Sequence, residues 1–219
     1  MDKKVRGTFV FTDISKSTKL WKKYKNNMFT ALKKHEKVIY KFTKQNKGIV
    51  IKTIGDAFML FFGGKESYVP AMKCAIEIQK SFIEHPIFLS SKSKDNIQIR
   101  IGIAYGDAFK HKVIYQGKTL DDYFGATVNI ASRMESRASD VNQIAIAFND
   151  KKINEEKILE KLNRKDWKIY IKHYTNKCLN LQKNKKRSER MICGYKCLSH
   201  KKLHGVGKVK SFVFKMKDS

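Results

Sequence analysis

Proline, acidic residues and long apolar runs are all scarce in this chain of 219 residues. No apolar stretch approaches the roughly 20 residues that a helix needs to cross a bilayer, so we expect no membrane span. Four cysteines at irregular spacing do not form a disulfide framework, which indicates a reduced, cytoplasmic protein. The segment Met1–Arg6 leads almost directly into a strand, so we expect no signal peptide.

Basic residues outnumber acidic ones by 47 to 20, which gives a net charge of +27. Residues 1–150 carry +12 and residues 151–219 carry +15, and nearly all of the excess is lysine. Charge spread along a chain is more typical of a solvated surface than of a shaped nucleic-acid site, although it attracts polyanions. We therefore do not expect a dedicated nucleic-acid-binding protein.

The first apolar run, Arg6–Thr12, predicts a buried strand with Asp13 at its C-terminal end. Ile14-Ser-Lys-Ser-Thr18 then predicts the start of a helix, which Ser or Thr can cap and whose N–H groups suit a phosphate. A carboxylate beside such a cradle suggests a metal that bridges it to the phosphate. For this segment alone, a plain N-cap Asp is the simpler interpretation.

Residues 49–62 predict a hairpin, because two runs rich in β-branched and aromatic residues flank Gly55-Asp56. Alternation assigns one face to Ile49, Ile51 and Thr53, and the other to Val50, Lys52 and Ile54. On its own, such a hairpin needs Asp56 only for its turn and Lys52 only to protect an edge strand.

The remaining N-terminal elements follow from periodicity. We predict helices at 28–45, with Phe29 among the inward-facing residues, and at 68–82. A strand at 97–105 contains Arg100, which is either at a sheet edge or held by an anion; we favour the anion. Residues 107–125 read as irregular.

A helix at 126–136 places Asn129 and Arg133 on one face. Beyond residue 150 the sequence patterns that predict secondary structure are weaker. We predict a helix at 151–162, a strand at 167–174, a basic loop at 180–190 and a closing strand pair at 191–198 and 209–214. Cys193, Cys197, His200 and His204 lie close together, but their spacing fits no common zinc finger.

Five separated segments, taken together, resemble the catalytic domain of the class III nucleotidyl cyclases. They are Phe11–Thr18, Lys52–Met59, Ile99–Ile103, Asp122–Arg133 and Leu203–Lys208. Each segment is a weak signal alone, but their order is that of the family. The resemblance covers residues 5 to about 148 and resumes near residue 191.

The resemblance implies an α+β fold with a ferredoxin-like βαββαβ core and a mixed, mainly antiparallel sheet covered by helices. Residues 1–150 would form the catalytic core, and residues 151–219 a basic extension that completes the domain with a loop near 180–190 and a closing hairpin at 191–216. It also implies a homodimer with active sites in the interface.

The resemblance further assigns roles to the candidate site. Asp13, Asp56 and the Ile14 carbonyl would hold two divalent cations, Mg²⁺ or Mn²⁺. Arg133 and Asn129 would be the catalytic residues, the first stabilising charge on the α-phosphate and the second orienting the ribose. Substrate binding would fall to Lys52, Asp122, Arg100, Ser17 and Thr18.

Lys52 and Asp122 would select the base. Lysine donates to adenine N1 and aspartate accepts from the 6-amino group, whereas guanine presents the opposite pattern. The resemblance thus implies an adenylate cyclase acting on ATP. The alternatives are a cyclase for UTP, CTP or GTP and, in another class, a basic nucleic-acid-binding protein on a cyclase-like scaffold.

Three features depart from the family pattern. Ala126 stands where many relatives have Asp, and we expect little consequence. His204 stands where a phosphate-binding Lys is often found, although Lys201, Lys202 or Lys208 offers a substitute. The basic stretch at 180–190 is not obviously part of the pattern. No sensor domain accompanies the catalytic segments, so we expect regulation either to come from a partner or to be absent.

Overall fold

The structure, a computed structural model, describes residues 3–138, 141, 143–150, 160–162, 167–173, 190–192, 195–197 and 210–216. The predicted helix at 151–162 and the predicted loop at 180–190 therefore lie mostly outside the described residues, as does His204. No helix in the described ranges has both the length and the hydropathy that a membrane span requires.

The first part of the chain forms the predicted βαββαβ unit. Its elements, in order, are β1 (Lys3–Ile14), α1 (Ser17–Tyr24), α2 (Asn26–Gln45), β2 (Ile49–Ile54), β3 (Ala57–Gly63), α3 (Tyr68–Glu84) and β4 (Ile99–Tyr115). The strands lie in the order β2-β3-β1-β4, and each neighbouring pair is antiparallel. This is the ferredoxin-like order, so the predicted α+β fold is confirmed.

The second part extends the same sheet. Its elements are β5 (Lys118–Phe124), α4 (Ala126–Arg133), a π-helical turn (Met134–Ala138), β6 (Gln143–Asn149), β7 (Trp167–His173), β8 (Arg190–Ile192), β9 (Tyr195–Cys197) and β10 (Lys210–Met216). Only the pairs β4–β6 and β7–β9 are parallel among the described strands. The result is a mixed, mainly antiparallel sheet of ten described strands.

The predicted closing hairpin at 191–216 is wrong in its pairing. Strand β10 pairs with β6 and β7, whereas β8 pairs with β9. Because β7 and β10 belong to the sheet that β1–β6 begin, the later strands complete one layer with the earlier ones. The division of the chain at residue 150 stays a prediction.

Helices cover both faces of the sheet, and alternation along β1 divides the core between them. Val10 and Ile14 belong to the core under α1, α2 and α3, whereas Phe9 and Phe11 belong to the core under α4. Asp13 follows Phe9 and Phe11 in the alternation, so it lies on the α4 side of the sheet. The candidate site is on this side.

Strands β4 and β5 form a long ribbon where the sequence predicts irregular structure at 107–125. Their pairing runs from Phe109 and Phe124 at one end to the turn at Gln116-Gly117, whose φ angles are 47° and 73°. The prediction failed because Lys, His and Asp interrupt the apolar alternation that marks a strand. Ile114 is 80% exposed, so the ribbon presents apolar side chains to solvent.

Two predicted side-chain directions are also wrong. Phe29, expected in the core, is 60% exposed, because the buried stripe of α2 consists of Met28, Ala31, His35, Ile39 and Thr43. In β2, a bulge between Val50 and Lys52 shifts the register, so that Lys52 stands opposite Met59 rather than continuing on the face of Val50. The bulge turns Lys52 to the α4 side.

Candidate active site

Two carboxylates meet where the end of β1 lies beside the β2–β3 turn. Thr12 pairs with Phe58, which brings the turn residue Asp56 next to Asp13. Burial and the charge of Asp13 raise the pKa of Asp56, while hydrogen bonds from a hydroxyl and from backbone amides oppose the shift. The structure therefore brings the two predicted metal ligands together.

This acid pair fits a hard divalent cation. The Oδ2 atom of Asp56 is buried and has no hydrogen-bond partner among the described residues, and Asp13 adds a second carboxylate, followed directly by the Ile14 backbone. Oxygen ligands suit Mg²⁺ and Mn²⁺. The described ranges contain no cluster of three acidic, His or Cys side chains that could hold a metal.

Helix α1 begins beside the acid pair, although it is not capped as predicted. Lys16 is the N-cap residue, with a left-handed φ of 59°, and no side chain caps the first turn. The Ser17 side chain instead lies beside the Asp56 carboxylate and lowers its pKa, and Thr18 is exposed. The first N–H groups of a helix lack intrahelical acceptors, which suits them to an anion.

Arg100 lies on the central strand β4 and faces the acid pair. Its register partner across β1 is Asp13, and its Nη2 atom is 2.7 Å from Asp13 Oδ2 and 3.0 Å from Glu135 Oε1. The sequence predicts an anionic partner for Arg100, and in this structure its partners are the carboxylates of Asp13 and Glu135. The side chain remains 27% exposed, so a phosphate can reach it.

Glu135 is a site residue that the sequence analysis missed. It lies in the π-helical turn after α4 and is only 7% exposed. Burial raises the pKa of Glu135 to about 7; Arg100 opposes this rise, and the charges of Asp13 and Asp56 add to it. The signal for Glu135 was Arg100 itself, because a guanidinium within a central strand needs a carboxylate within reach.

Gly102 makes the contact between Glu135 and Arg100 possible. A Cβ atom at position 102 would lie 1.9 Å from the backbone nitrogen of Glu135 and 2.6 Å from the carbonyl oxygen of Ala131. The end of α4 therefore packs directly on the backbone of β4, at a distance that only glycine allows.

A second polar pair lies on the same side of the sheet. Lys52 Nζ is 2.6 Å from Asp122 Oδ2 and thus joins β2 to β5. The other carboxylate oxygen of Asp122 accepts the backbone N–H of Tyr123 at 2.8 Å, and the Lys52 ammonium lies 5.8 Å from the ring centroid of Phe124. The pair places a strong donor beside a strong acceptor.

Asn129 and Arg133 lie on α4 with the predicted spacing of four residues. The buried residues of this helix pack on the sheet and leave Asn129 exposed and Arg133 half-buried. No described contact ties Asn129 to either polar pair. The site residues of one chain thus form two groups held by direct contacts, one around Asp13 and one around Lys52, with α4 beside them.

Comparison with known proteins places this geometry in a family. The model of the adenylate and guanylate cyclase catalytic domain matches residues 2–215. The chain is 32% identical over 154 residues to an adenylate cyclase of Podospora anserina, and to the same extent to one of Schizosaccharomyces pombe. Each alignment covers 63% of this chain but 7% and 9% of those proteins, so the chain spans less than a tenth of their length.

Solved structures show the same fold. The catalytic core of a rhodopsin-guanylyl cyclase with converted specificity, in complex with ATPalphaS, aligns with a TM-score of 0.69 and 20% identity over 99% of this chain and 98% of that one. The adenylyl cyclase CyaB from P. aeruginosa aligns with a TM-score of 0.66 and 19% identity over 100% and 97%. Since the family model spans nearly the whole sequence, the chain belongs to the family of adenylate and guanylate cyclase catalytic domains.

Proposed function

We propose that this domain is an adenylate cyclase, which converts ATP into 3′,5′-cyclic AMP and pyrophosphate. The observation that carries the proposal is the pair of Lys52 and Asp122, whose Nζ and Oδ2 atoms are 2.6 Å apart. Two curated relatives, each 32% identical to this chain over 154 residues, are named adenylate cyclases, which supports ATP as the substrate.

The pair suits adenine because its donor and acceptor stand side by side. An ammonium has three N–H donors, so a hydrogen bond to Asp122 leaves Lys52 two for adenine N1. Asp122 then accepts from the 6-amino group. Guanine offers a donor where Lys52 needs an acceptor. The mismatch leaves the Lys52 and Asp122 groups without partners on the base, which is a strong basis for rejecting guanine.

The reaction joins the ribose 3′ oxygen to the α-phosphorus and breaks the bond from that phosphorus to the bridging oxygen of pyrophosphate, while the hydroxyl proton passes to solvent. Asp13, Asp56 and the Ile14 carbonyl would hold two divalent cations, Mg²⁺ or Mn²⁺. When bound, such cations activate the hydroxyl and neutralise the triphosphate. The N–H groups of Ser17 and Thr18 would bind phosphate oxygens.

Four further side chains complete the proposed mechanism. Arg100 exchanges Asp13 for a phosphate, and Glu135 keeps its guanidinium in position. Arg133 stabilises the charge that develops on the α-phosphate, and Asn129 orients the ribose. Loss of one such preorganised donor lowers the rate by about 10²–10³-fold.

The proposed enzyme is a homodimer whose active sites combine residues of both chains. Ile114 and Leu120 on the ribbon are exposed apolar residues that a second chain would cover. We expect Asp13→Ala and Arg133→Ala each to be inactive alone and their mixture to regain part of the activity, because one site of a mixed dimer is intact. No recovery after demonstrated chain exchange would contradict shared sites.

The base assignment is tested by exchanging the pair. We expect Lys52→Glu/Asp122→Cys to move the ratio of kcat/KM for ATP and GTP toward GTP. The matched control is Lys110→Glu/Asp121→Cys, which removes another Lys–Asp pair, 2.6 Å apart, on the ribbon and leaves the ratio unchanged. A double variant at 52 and 122 that keeps the preference for ATP would contradict the proposal.

A cyclase for another nucleotide is the alternative. Its support is that the similar structures include the guanylate cyclase domain of RhGC from Catenaria anguillulae in complex with GTP, with a TM-score of 0.69. It predicts that exchanging Lys52 and Asp122 does not alter base preference. A separate regulatory partner and a cytoplasmic location stay predictions.

A further inference from the structure

The positive charge of the first 150 residues is concentrated in one segment rather than spread along it. Residues 16–47 contain eleven lysines, no arginine and a single acidic residue, Glu36, which gives +10 of the +12 carried by residues 1–150. This segment comprises α1, α2 and the turns that flank them. The expectation of evenly spread charge therefore fails for this part of the chain.

All eleven lysines point to solvent. The buried side of α2 packs on the sheet, and each lysine between residues 16 and 47 is exposed. Only Lys23 forms an ion pair, with Asp95 at 2.8 Å, within the part of the chain that the structure describes. The outer side of α1 and α2 is thus a strongly positive surface with almost no internal compensation; we call it the lysine face.

Aromatic side chains lie within the lysine face. Along α2, Phe29, Lys33, Lys37, Tyr40 and Lys44 recur at intervals of three or four, which aligns them in one stripe about 22 Å long. Phe29 is 60% exposed and Tyr40 is 51% exposed. An exposed Phe among lysines is unfavourable in water alone but suits a boundary between water and hydrocarbon.

Helix α1 supports this end of the stripe. The ring of Trp21 packs edge-on against Phe29, with centroids 4.9 Å apart. The two large rings therefore form one apolar projection at the start of α2, next to cations on both helices.

We infer that the lysine face docks this domain on an anionic membrane surface. Each lysine near such a surface strengthens binding about fivefold, and exposed aromatic rings insert at the headgroup level. Nucleic acid is the less favoured polyanion, because arginine, with its planar fork, is the preferred side chain for nucleic-acid recognition, and residues 16–47 contain none. Arg6 is instead paired with Asp107, and Arg100 lies in the candidate site on the α4 side of the sheet.

The position of the lysine face in the fold is compatible with catalysis. Helices α1 and α2 cover one face of the sheet, whereas α4 and the Lys52–Asp122 pair lie on the other. Only the first turn of α1, where Ser17 lies beside Asp56, borders the candidate site. Contact with a bilayer through the lysine face leaves the α4 side accessible to nucleotide and to a second chain.

Vesicle sedimentation of the full chain tests this inference. We expect binding to phosphatidylcholine vesicles that contain phosphatidylserine, no binding to pure phosphatidylcholine, and release at high salt. Lys37→Gln/Lys41→Gln/Lys44→Gln should weaken binding by about 100-fold. The matched control Lys3→Gln/Lys65→Gln/Lys73→Gln removes the same charge from exposed positions off the lysine face and should weaken it far less.

A separate variant tests the aromatic contribution. Phe29→Ser removes a side chain that is 60% exposed and whose ring contact is with Trp21. We expect the fold, followed by circular dichroism, to be kept and vesicle binding to become weaker and more salt-sensitive. Absence of wild-type binding to anionic vesicles, or equal losses in the two triple-lysine variants, would overturn the inference. So would loss of binding to single-stranded RNA in the lysine-face variant with vesicle binding unchanged. None of these readouts requires cyclase activity, so failure here is distinct from failure of the proposed function.

Discussion

His35 gives a quantitative prediction about stability. The imidazole is fully buried against the rings of Phe58 and Phe82, and neither ring nitrogen has a hydrogen-bond partner among the described residues. Burial lowers the pKa of His35 from 6.5 to about 4. The folded protein therefore keeps His35 neutral at pH values where the unfolded chain binds a proton, and acid must destabilise the fold.

The size of the effect follows from linkage. A pKa that is lower in the folded state carries no penalty above about 6.5, and the penalty grows as the pH falls toward about 4. Each pKa unit is worth about 1.4 kcal/mol, so His35 removes about 2 kcal/mol of stability at pH 5 and about 3 kcal/mol at pH 4. Glu135 acts in the opposite sense, because its pKa is raised to about 7, so only a difference between variants isolates His35.

Urea unfolding followed by tryptophan fluorescence measures that difference. We expect His35→Leu to be more stable than the wild type at pH 7.5, by about 1 kcal/mol, because two unsatisfied nitrogens leave the core. The gap should widen by about 2 kcal/mol at pH 5. His85→Gln, at an exposed position, is the control and should show no widening. A gap for His35→Leu that is the same at both pH values would refute the reasoning.

Two further predictions concern the contact between β4 and the end of α4. Gly102→Ala should destabilise the fold by about 3 kcal/mol or more, because the added Cβ would meet backbone atoms rather than a movable side chain. Thermal unfolding measures this loss, and an unchanged midpoint would contradict the close packing. Glu135→Gln should raise the Mn²⁺ concentration needed for half-maximal activity about tenfold, because Arg100 then pairs more strongly with Asp13. Titration of activity with Mn²⁺ measures this shift. An unchanged Mn²⁺ concentration for half-maximal activity would show that Glu135 does not position Arg100.

The sequence predicted the βαββαβ unit well because its signals are local. The apolar runs of β1 and of the β2–β3 hairpin, and the 3.6-residue period of α2 and α3, each dominate their windows. The ribbon at 107–124 was not predicted, because much of it faces solvent rather than a core and its residues therefore show no strict alternation of apolar and polar side chains. The exposure of Phe29 was not predicted either, because an apolar residue that fits the helical period is ordinarily buried.

The sequence indicated which residues belong to the candidate site better than it indicated which of them contact each other. Asp13 and Asp56 follow clear strand ends, and the sequence order of the segments supports their grouping. The bulge that turns Lys52 toward Asp122 inserts one residue into a ladder, which no periodicity reveals. Glu135 depends on a close approach at Gly102, which is a property of packing between elements rather than of either segment.

The central claim, an ATP-specific cyclase, is tested most directly by product identity. Purified protein is incubated with equal concentrations of ATP, GTP, CTP and UTP and with Mn²⁺, and the cyclic products are resolved by mass spectrometry. We predict that cyclic AMP dominates and disappears in Asp56→Ala. A cyclic pyrimidine or cyclic GMP as the main product would contradict the role given to Lys52 and Asp122, and cyclic AMP formation that persists in Asp56→Ala would contradict the site.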